Sequence, residues 1–464
     1  MLPFAAMRPT ALALVAAALL AACTRTPTGD RSAPSATAPV ASAHRPTAPP
    51  GAIPFLEDDY PRALAEARAK HVPIFVDAWA PWCHTCASLR TFVLQDPKLA
   101  PVAARFVWLA IDTERESNAA FVKKFPLEFW PTLWVLDAET ERPILKWPGS
   151  LTTPELLTLL DDAALASERK STGGEAGAAL LRGDQAAADA KHDEAITAYR
   201  QALAIAPSDW ARRGRGVDAL ATQLATNDPS ACLALAETEL PKLPLGTNAA
   251  NVVTTGLGCA TKLPKGTPVA GSALADAAEK MAADRAVPIL ADDRSGLFDA
   301  LNDWLHAQGE PAKDRRATNA RAWAAMLEEQ AKAAPSKEAR VVFDAHRMSA
   351  YFALGELTRA RAMVVESEKD FPTDYNHPAR LARIDLELKR LDDAQAAIGR
   401  ALALAYGPRR LRLHELEARI LTAKGDPAGA KRALTTAVKE GASMTLTGSY
   451  AKSLLDLRAR AEKP

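Results

Sequence analysis

Two cysteines two residues apart, Cys83-His84-Thr85-Cys86, are the groups in this sequence whose type and spacing can do chemistry. A run of strand formers, Ile74 to Val76, leads toward them through Asp77-Ala78-Trp79-Ala80-Pro81-Trp82. Behind them Ala87-Ser88-Leu89-Arg90 opens a helix. Cys83 therefore falls at a helix N-terminus, where backbone N–H groups without an intrahelical partner favour an anion. A thiolate is an anion, so such a position lowers a cysteine pKa and makes a nucleophile. The two intervening residues let the sulfur of Cys86 reach back and attack a mixed disulfide on Cys83. The chemistry this spacing supports is thiol–disulfide exchange. The alternatives are a merely structural bridge or half of a zinc site. A zinc site of this kind takes a second ligand pair at matching spacing, and the sequence offers none. No bound cofactor and no metal is implied.

Elements on both sides must position this pair. Val72–Val76 and Phe106–Ile111 read as buried strands, apolar and bounded by turns, with Pro73 acceptable only near the start of its strand. Leu133–Leu136 and Pro143–Trp147 read as a later hairpin with Asp137 to Arg142 between them. A helix is expected over Tyr60–Lys70, with Asp58 and Asp59 suited to its N-cap region and Pro61 to its first turn. Asn118–Phe125 should form a helix packed opposite the site, and Pro154–Ala166 another.

The stretch Asp77-Ala78-Trp79-Ala80-Pro81-Trp82-Cys83-His84-Thr85-Cys86 resembles the active site of the thioredoxin family, with Asp77, Trp79, Ala80, Trp82, Cys83 and Cys86 in register. Trp130-Pro131-Thr132 and Trp147-Pro148-Gly149 match two further marks of that family, in the same order. The resemblance covers Ile53 to Glu168, roughly a quarter of the chain. It implies that Cys83 attacks, Cys86 resolves, Asp77 handles a proton, and Pro131 is a cis proline facing the cysteines. Trp82, Thr85 and Trp130 would then be active-site neighbours. The dipeptide between the cysteines is His-Thr here, and the place of the family's lysine near the buried aspartate falls to Trp108. The long helix before the strand makes the segment similar to the C-terminal domain of membrane thiol:disulfide interchange proteins. His84 is either an exposed turn residue or an imidazolium that stabilises the Cys83 thiolate.

At 464 residues with net charge +1 and 48% apolar residues, the chain has room for two or three globular domains and no basic field for nucleic acid. Six of its nine tryptophans lie between Trp79 and Trp147, which sets that segment apart from the Ala-rich remainder. Residues 1–22 read as an export signal: Arg8 precedes the apolar run Ala11–Leu20, too short to span a bilayer, which takes ~20 residues. The run ends Leu20-Ala21-Ala22-Cys23, which resembles the bacterial lipobox. That resemblance implies lipid on Cys23 and a place in the cell envelope, at the outer membrane if the host is Gram-negative. Residues 23–52 carry six prolines among Thr, Ser and Ala, and read as an extended tether.

After residues 53–168 and a Gly-rich hinge at Ser171–Gly177, residues 175–464 read as helical and repeating. Gly183, Ala195, Tyr199, Ala202 and Pro207 resemble the marks of a tetratricopeptide unit. Further units show Gly355, Ala360 and Pro372; Leu391, Ala394, Ile398 and Ala401; and Gly425, Ala430, Leu434 and Ala437. Ala360 to Ala394 is 34 residues and Ala394 to Ala430 is 36. Such hairpins bury their apolar faces only by stacking into a superhelix, so small residues are expected where helices cross. The span from Trp210 to Pro335 lacks clean marks and reads as degenerate repeats. Asp228 and Pro229 start a helix running to Glu239, and Asn248–Lys262 follows after a short loop. That antiparallel pair brings Cys232 near Cys259; in an oxidising compartment they form a structural disulfide, the alternative being two buried thiols. His71, His192, His346 and His414 show no partners and receive no role, and Asp292-Asp293-Arg294-Ser295-Gly296 reads as a loop capping the next helix.

The expected fold is an α/β thioredoxin-like domain followed by an all-α tetratricopeptide-type solenoid. The expected function is a lipid-anchored, extracytoplasmic thiol–disulfide oxidoreductase, reductase or isomerase. It would act on disulfide-bearing proteins, draw on an unidentified thiol electron donor, and use its repeats to present a client or partner. The rival is an interaction scaffold whose thioredoxin-like domain only binds.

Overall fold

The computed structural model describes residues 53–462 apart from 128, 169–173, 190, 265–269 and 447. The leader, Cys23 and the tether lie outside the described residues. The chain first builds β1 (Leu56–Glu57), α1 (Tyr60–Lys70), β2 (Ile74–Trp79), α2 (His84–Phe92), β3 (Val107–Asp112), α3 (Ala119–Lys124), β4 (Thr132–Leu136), β5 (Pro143–Pro148) and α4 (Thr153–Glu168). The sheet order is β1-β3-β2-β4-β5. β2 runs parallel to β3 and antiparallel to β4, so the sheet is mixed.

Every residue of β2 is buried, and its alternation sorts side chains between two cores. Ile74 and Val76 meet Ala63 and Ala67 of α1 and Phe121 of α3. Phe75 points the other way, into a core with Leu89 of α2, Trp108 of β3 and Leu156 and Leu160 of α4. Asp77 follows Phe75 in this alternation, which puts a carboxyl on the face under α2.

Some boundaries differ from expectation. The strand expected over Val72–Val76 starts at Ile74, because Pro73 has no N–H for a ladder, and continues to Trp79. The helix expected over Asn118–Phe125 opens as a 3-10 turn, Glu116–Asn118, before α3. A 3-10 segment that the sequence reading does not anticipate, Pro97–Arg105, follows α2; Pro101 inside it blocks α-helical bonding.

Helices α5 to α20 then follow. They are α5 (Gly174–Ala188), α6 (His192–Ile205), α7 (Arg213–Asn227), α8 (Pro229–Glu239), α9 (Thr247–Thr261), α10 (Ser272–Ala283), α11 (Ala291–Gln308) and α12 (Lys313–Ala333). Beyond them lie α13 (Lys337–Val341), α14 (Asp344–Leu354), α15 (Leu357–Asp370), α16 (Asn376–Glu387), α17 (Leu391–Leu404), α18 (Arg409–Ala423), α19 (Pro427–Ala442) and α20 (Gly448–Ala461). Gly174 to Gly177, expected as the end of a hinge, form the first turn of α5, and residues 171–173 lie outside the described residues. The expected capping loop at Asp292–Gly296 is instead the first part of α11. None of the described helices is long and apolar enough to cross a membrane.

The glycines of the repeats do two different jobs. Gly183 of α5 faces Tyr199 of α6, where an added methyl would sit 2.3 Å from the ring, so the helices cross there because the side chain is absent. Gly355 and Gly425 touch nothing at their open side; they hold the left-handed turns after α14 and α18, at φ 75° and 79°. Lys389 takes the equivalent turn between α16 and α17 at φ 59°. In α8 and α9, Asp228 accepts from the N–H of Ala231 at 3.0 Å, and Cys232 is joined to Cys259 with Cα atoms 6.2 Å apart. All the described helices between residues 210 and 335 pack into the same apolar cluster as the units around Tyr199, Ala360 and Ala394, whereas Ala430, Leu434 and Ala437 belong to a separate one.

This division predicts opposite signs for two glycine substitutions. Gly355→Ala must place a Cβ in the left-handed region and should cost roughly 1 kcal/mol. Gly399 lies inside α17 with open space around it, so Gly399→Ala should gain about 0.5–1 kcal/mol. Denaturant midpoints measured side by side decide the matter, and equal signs would refute the distinction.

Candidate active site

The loop between β2 and α2 places Cys83 as the N-cap of α2. Its sulfur accepts from the N–H of Cys86 at 2.9 Å, the geometry by which a helix N-terminus steadies a sulfur anion. Cys83 and Cys86 are joined, with Cα atoms 5.2 Å apart. Trp79, Ala80 and Ala110 pack around the pair, with Trp82 and Trp130 at its edge. The Trp130–Pro131 peptide bond is cis, and the carbonyl of Pro131 accepts from the N–H of Gly149 at 2.8 Å. The two tryptophans lean on each other with ring centroids 5.3 Å apart. The Cys232–Cys259 bridge sits apart from this cluster, in the α8–α9 hairpin.

Asp77 is fully buried below α2, and neither of its oxygens has a hydrogen-bond partner among the described residues. Burial pushes its carboxyl up to about 6, the guanidinium of Arg90 holding it down in part. Arg90 lies 3.6 Å from Asp77, pairs also with Glu57, and covers the ring of Trp79. The cation near the buried aspartate thus comes from α2. The Trp108 indole, in the place of the family's lysine, donates to the carbonyl of Ala103 and packs against Phe75. Arg90 follows Cys83 by seven residues, two helical turns along the same face, which is the sequence signal for it.

The largest departure from the sequence reading concerns what faces His84 and Thr85. Asp292, in the first turn of α11, is buried and reaches both: its Oδ1 lies 3.1 Å from His84 Nδ1, and its Oδ2 accepts from the Thr85 hydroxyl at 2.7 Å. His346 of α14 completes the cluster, its Nε2 2.5 Å from Asp292 Oδ1 and its ring edge-on to that of His84. His346 therefore has a partner, as do His192 with Gln223 and His414 with Glu417. Although buried, the Asp292 carboxyl is held well below the usual range by the two imidazoles. Burial lowers His346. Beside it Asp293 is pushed up to about 7 by burial and by Asp292, and accepts from the Ser150 hydroxyl. Nothing local in the sequence signals these contacts, because Asp292 and His346 lie more than 200 residues from Cys83.

A second set of helical-region groups closes over Trp82. The Trp82 indole donates to Glu114 at 2.8 Å, and the Tyr450 hydroxyl and the N–H of Arg409 donate to the same carboxylate. Burial raises Glu114 to about 7 against those three donors. Tyr406 donates to Asp112, Asn376 to the carbonyl of Pro81, and the Arg409 guanidinium lies over the Trp82 ring. Phe92 stacks on Phe343. Cys83 is left 5% exposed and Cys86 fully buried. A cavity of about 670 Å³ lies between the two halves, walled by Trp82, His84 and Trp130 on one side and by Asp292, Arg383 and Arg412 on the other.

Asp77 makes a pH prediction. Its folded-state pKa is raised, so the folded protein binds the proton more tightly, and stability is lost as pH rises from about 4 to about 6. The penalty of the charged form at pH 7 is roughly 2 to 3 kcal/mol. Asp77→Asn should recover most of it at pH 7 and little at pH 4; denaturant unfolding at both values would show a pH-independent effect if this reading fails.

Residues 60–164 match the family model described as a thioredoxin-like domain. Protein disulfide-isomerase 1 of Dictyostelium discoideum is 30% identical over 92 residues, which are 20% of this chain and 25% of that protein. The chain thus spans about a quarter of the length of that relative. Among solved structures, a tetratricopeptide repeat protein from Parabacteroides merdae is 12% identical with a TM-score of 0.34, covering 61% of this chain and 98% of that one. The TPR2AB-domain:pHSP90 complex of yeast Sti1 is 17% identical with a TM-score of 0.24, covering 63% and 100%. At those scores neither superposition bears on function. The chain combines a thioredoxin-like domain, carrying a Cys-x-x-Cys pair at disulfide distance, with a mostly helical, tetratricopeptide-like region.

Proposed function

We propose that this chain is an extracytoplasmic thiol–disulfide oxidoreductase, held at a membrane by lipid on Cys23 and working as a reductase or isomerase. The observation that carries the reading is the Cys83–Cys86 bridge at the N-cap of α2, with Trp130, which precedes the cis Pro131 bond, packed at its edge. In the reducing direction the Cys83 thiolate attacks a client disulfide. A bond forms between Cys83 and one client sulfur, and the other leaves as a thiolate that takes up a proton. Cys86, deprotonated with Asp77 as the acceptor, then attacks Cys83 and releases the second client thiol. Two electrons have passed to the client, and an external thiol donor restores the dithiol.

The helical region bounds what reaches the pair. Its groups cover the face around Cys83, so a client reaches the sulfur as an extended segment rather than as a folded surface. The scaffold reading gains support from the low exposure of Cys83, and insulin reduction by the full chain separates the two. Turnover abolished by Cys83→Ser supports the enzyme; no turnover above that variant would leave only binding.

The direction of electron flow follows from electrostatics. A stabilised thiolate makes a disulfide more oxidising. Here the helix N-terminus acts in that sense, but His84 is paired with Asp292, whose negative charge offsets it. A contact of ~1 kcal/mol moves a two-electron potential by only ~20 mV. We expect a reduction potential of roughly −200 to −260 mV, with His84→Ala shifting it by tens of millivolts at most. Equilibration with glutathione buffers, read by tryptophan fluorescence, measures both; a value above about −150 mV would reassign the protein as a disulfide donor.

The anchor is tested separately. Cys23→Ser should release the protein from membranes while leaving its unfolding unchanged. Sedimentation of that variant with membranes would place the anchor elsewhere.

A further inference from the structure

The cluster of His84, Asp292 and His346 has a composition and a shape that the exchange chemistry does not use. One donor atom from each of His84, Asp292 and His346 lies within 4.8 Å of the others. Two imidazole nitrogens and one carboxylate oxygen are the donor set of borderline divalent cations, zinc above all. In a tetrahedral site with bonds of about 2.0–2.2 Å, neighbouring donors stand ~3.3 Å apart. Nδ1 to Oδ1 is 3.1 Å and Nε2 to Oδ1 is 2.5 Å, so a small outward movement of His346 accommodates the ion. The second oxygen of Asp292 accepts from the Thr85 hydroxyl, which turns Oδ1 toward the two rings in the manner of an outer-shell partner. All three donors border the large cavity, which leaves room for a fourth ligand from solvent or substrate.

A second observation points the same way. Asp293 is adjacent to Asp292, and its Oδ2 is out of solvent with no hydrogen-bond partner among the described residues. Asp299, two turns along α11, borders the same cavity. Among the described residues no lysine or arginine pairs with Asp292, Asp293 or Asp299, whereas buried Asp184 pairs with Arg215 and buried Asp385 with Arg361. Arg380 lies near His346 and opposes a cation, but hydrogen-bonds none of these carboxylates. The carboxylates of this wall gather where two imidazole nitrogens converge, the place a divalent ion would occupy.

We infer that His84, Asp292 and His346 form a zinc-type divalent cation site that clasps the helical region to the dipeptide between the redox cysteines. Two of its ligands belong to α11 and α14, and the third follows Cys83 directly, so occupancy closes the face around Cys83 and release opens it. The inference stands whether or not the pair turns over protein clients.

Zinc is the probe, added to the full chain carrying Cys23→Ser with both disulfides intact, so that no thiol competes for it. Competition with a chromogenic chelator should give one zinc per chain at sub-micromolar affinity. His84→Ala, at a half-exposed position, should weaken it at least tenfold, and so should His346→Ala and Asp292→Asn. Cobalt in place of zinc should show d–d bands without thiolate charge transfer. After reduction, zinc should slow alkylation of Cys83 in the parent chain and leave His84→Ala unaffected. Absence of stoichiometric zinc, or zinc retained with full affinity by His84→Ala, would overturn the site. Failure of insulin reduction in the same preparation would bear only on the oxidoreductase reading.

Discussion

A charged carboxylate held away from water is costly unless donors meet it, and Asp292 is met by His84, Thr85 and His346. An isolated buried charge costs far more than a lost neutral hydrogen bond, whereas hydrogen bonds to a charged group contribute about 1.5–3 kcal/mol each. Two of the three donors sit between Cys83 and Cys86. The solvation of a group on α11 is therefore supplied by the redox loop, and that loop is fixed by a group on α11.

The same logic operates on the other side of Cys83. Glu114, two residues past the end of β3, receives the Trp82 indole from its own domain and Tyr450 and the Arg409 N–H from the helical region. Asp112 receives Tyr406. The residue before Cys83 and the two residues after it are thus each tied, through a buried carboxylate, to helices late in the chain. In an isolated thioredoxin-like domain these acids and the His-Thr dipeptide would face solvent. Here they are interface residues, which accounts for two acids at the end of a strand otherwise built for burial.

The elements around the cysteines were legible because they follow from local rules. The strand formers before Asp77, the Cys-x-x-Cys turn and Pro131 each announce themselves within a few residues. The turns of the repeats were legible as glycines, but their role was not: Gly183 and Gly355 look alike in sequence and differ in whether a ring or solvent lies opposite. Arg90 was within reach of helical spacing. Asp292 and His346 were not, since their meaning depends on how α11 and α14 curve back over residues 83–86. The tandem Asp292-Asp293 in a first helical turn is also what capping produces, and only its burial against the redox loop separates the two.

What closes the face around Cys83 is mostly polar. The anchors around Cys83 are carboxylates, imidazoles, hydroxyls and an amide; the Phe92–Phe343 stack is an apolar contact beside them. Water replaces polar contacts at little net cost, whereas it does not replace buried apolar area. An interface of this kind opens more readily than the helix–helix seams of the repeats, which are built on leucine, alanine and tyrosine. Arginines stand on the cavity wall, and the paired tryptophans at 82 and 130 pack beside the sulfurs. The helical region leaves Cys83 5% exposed, so the exposure of that sulfur is set by how firmly this polar interface holds.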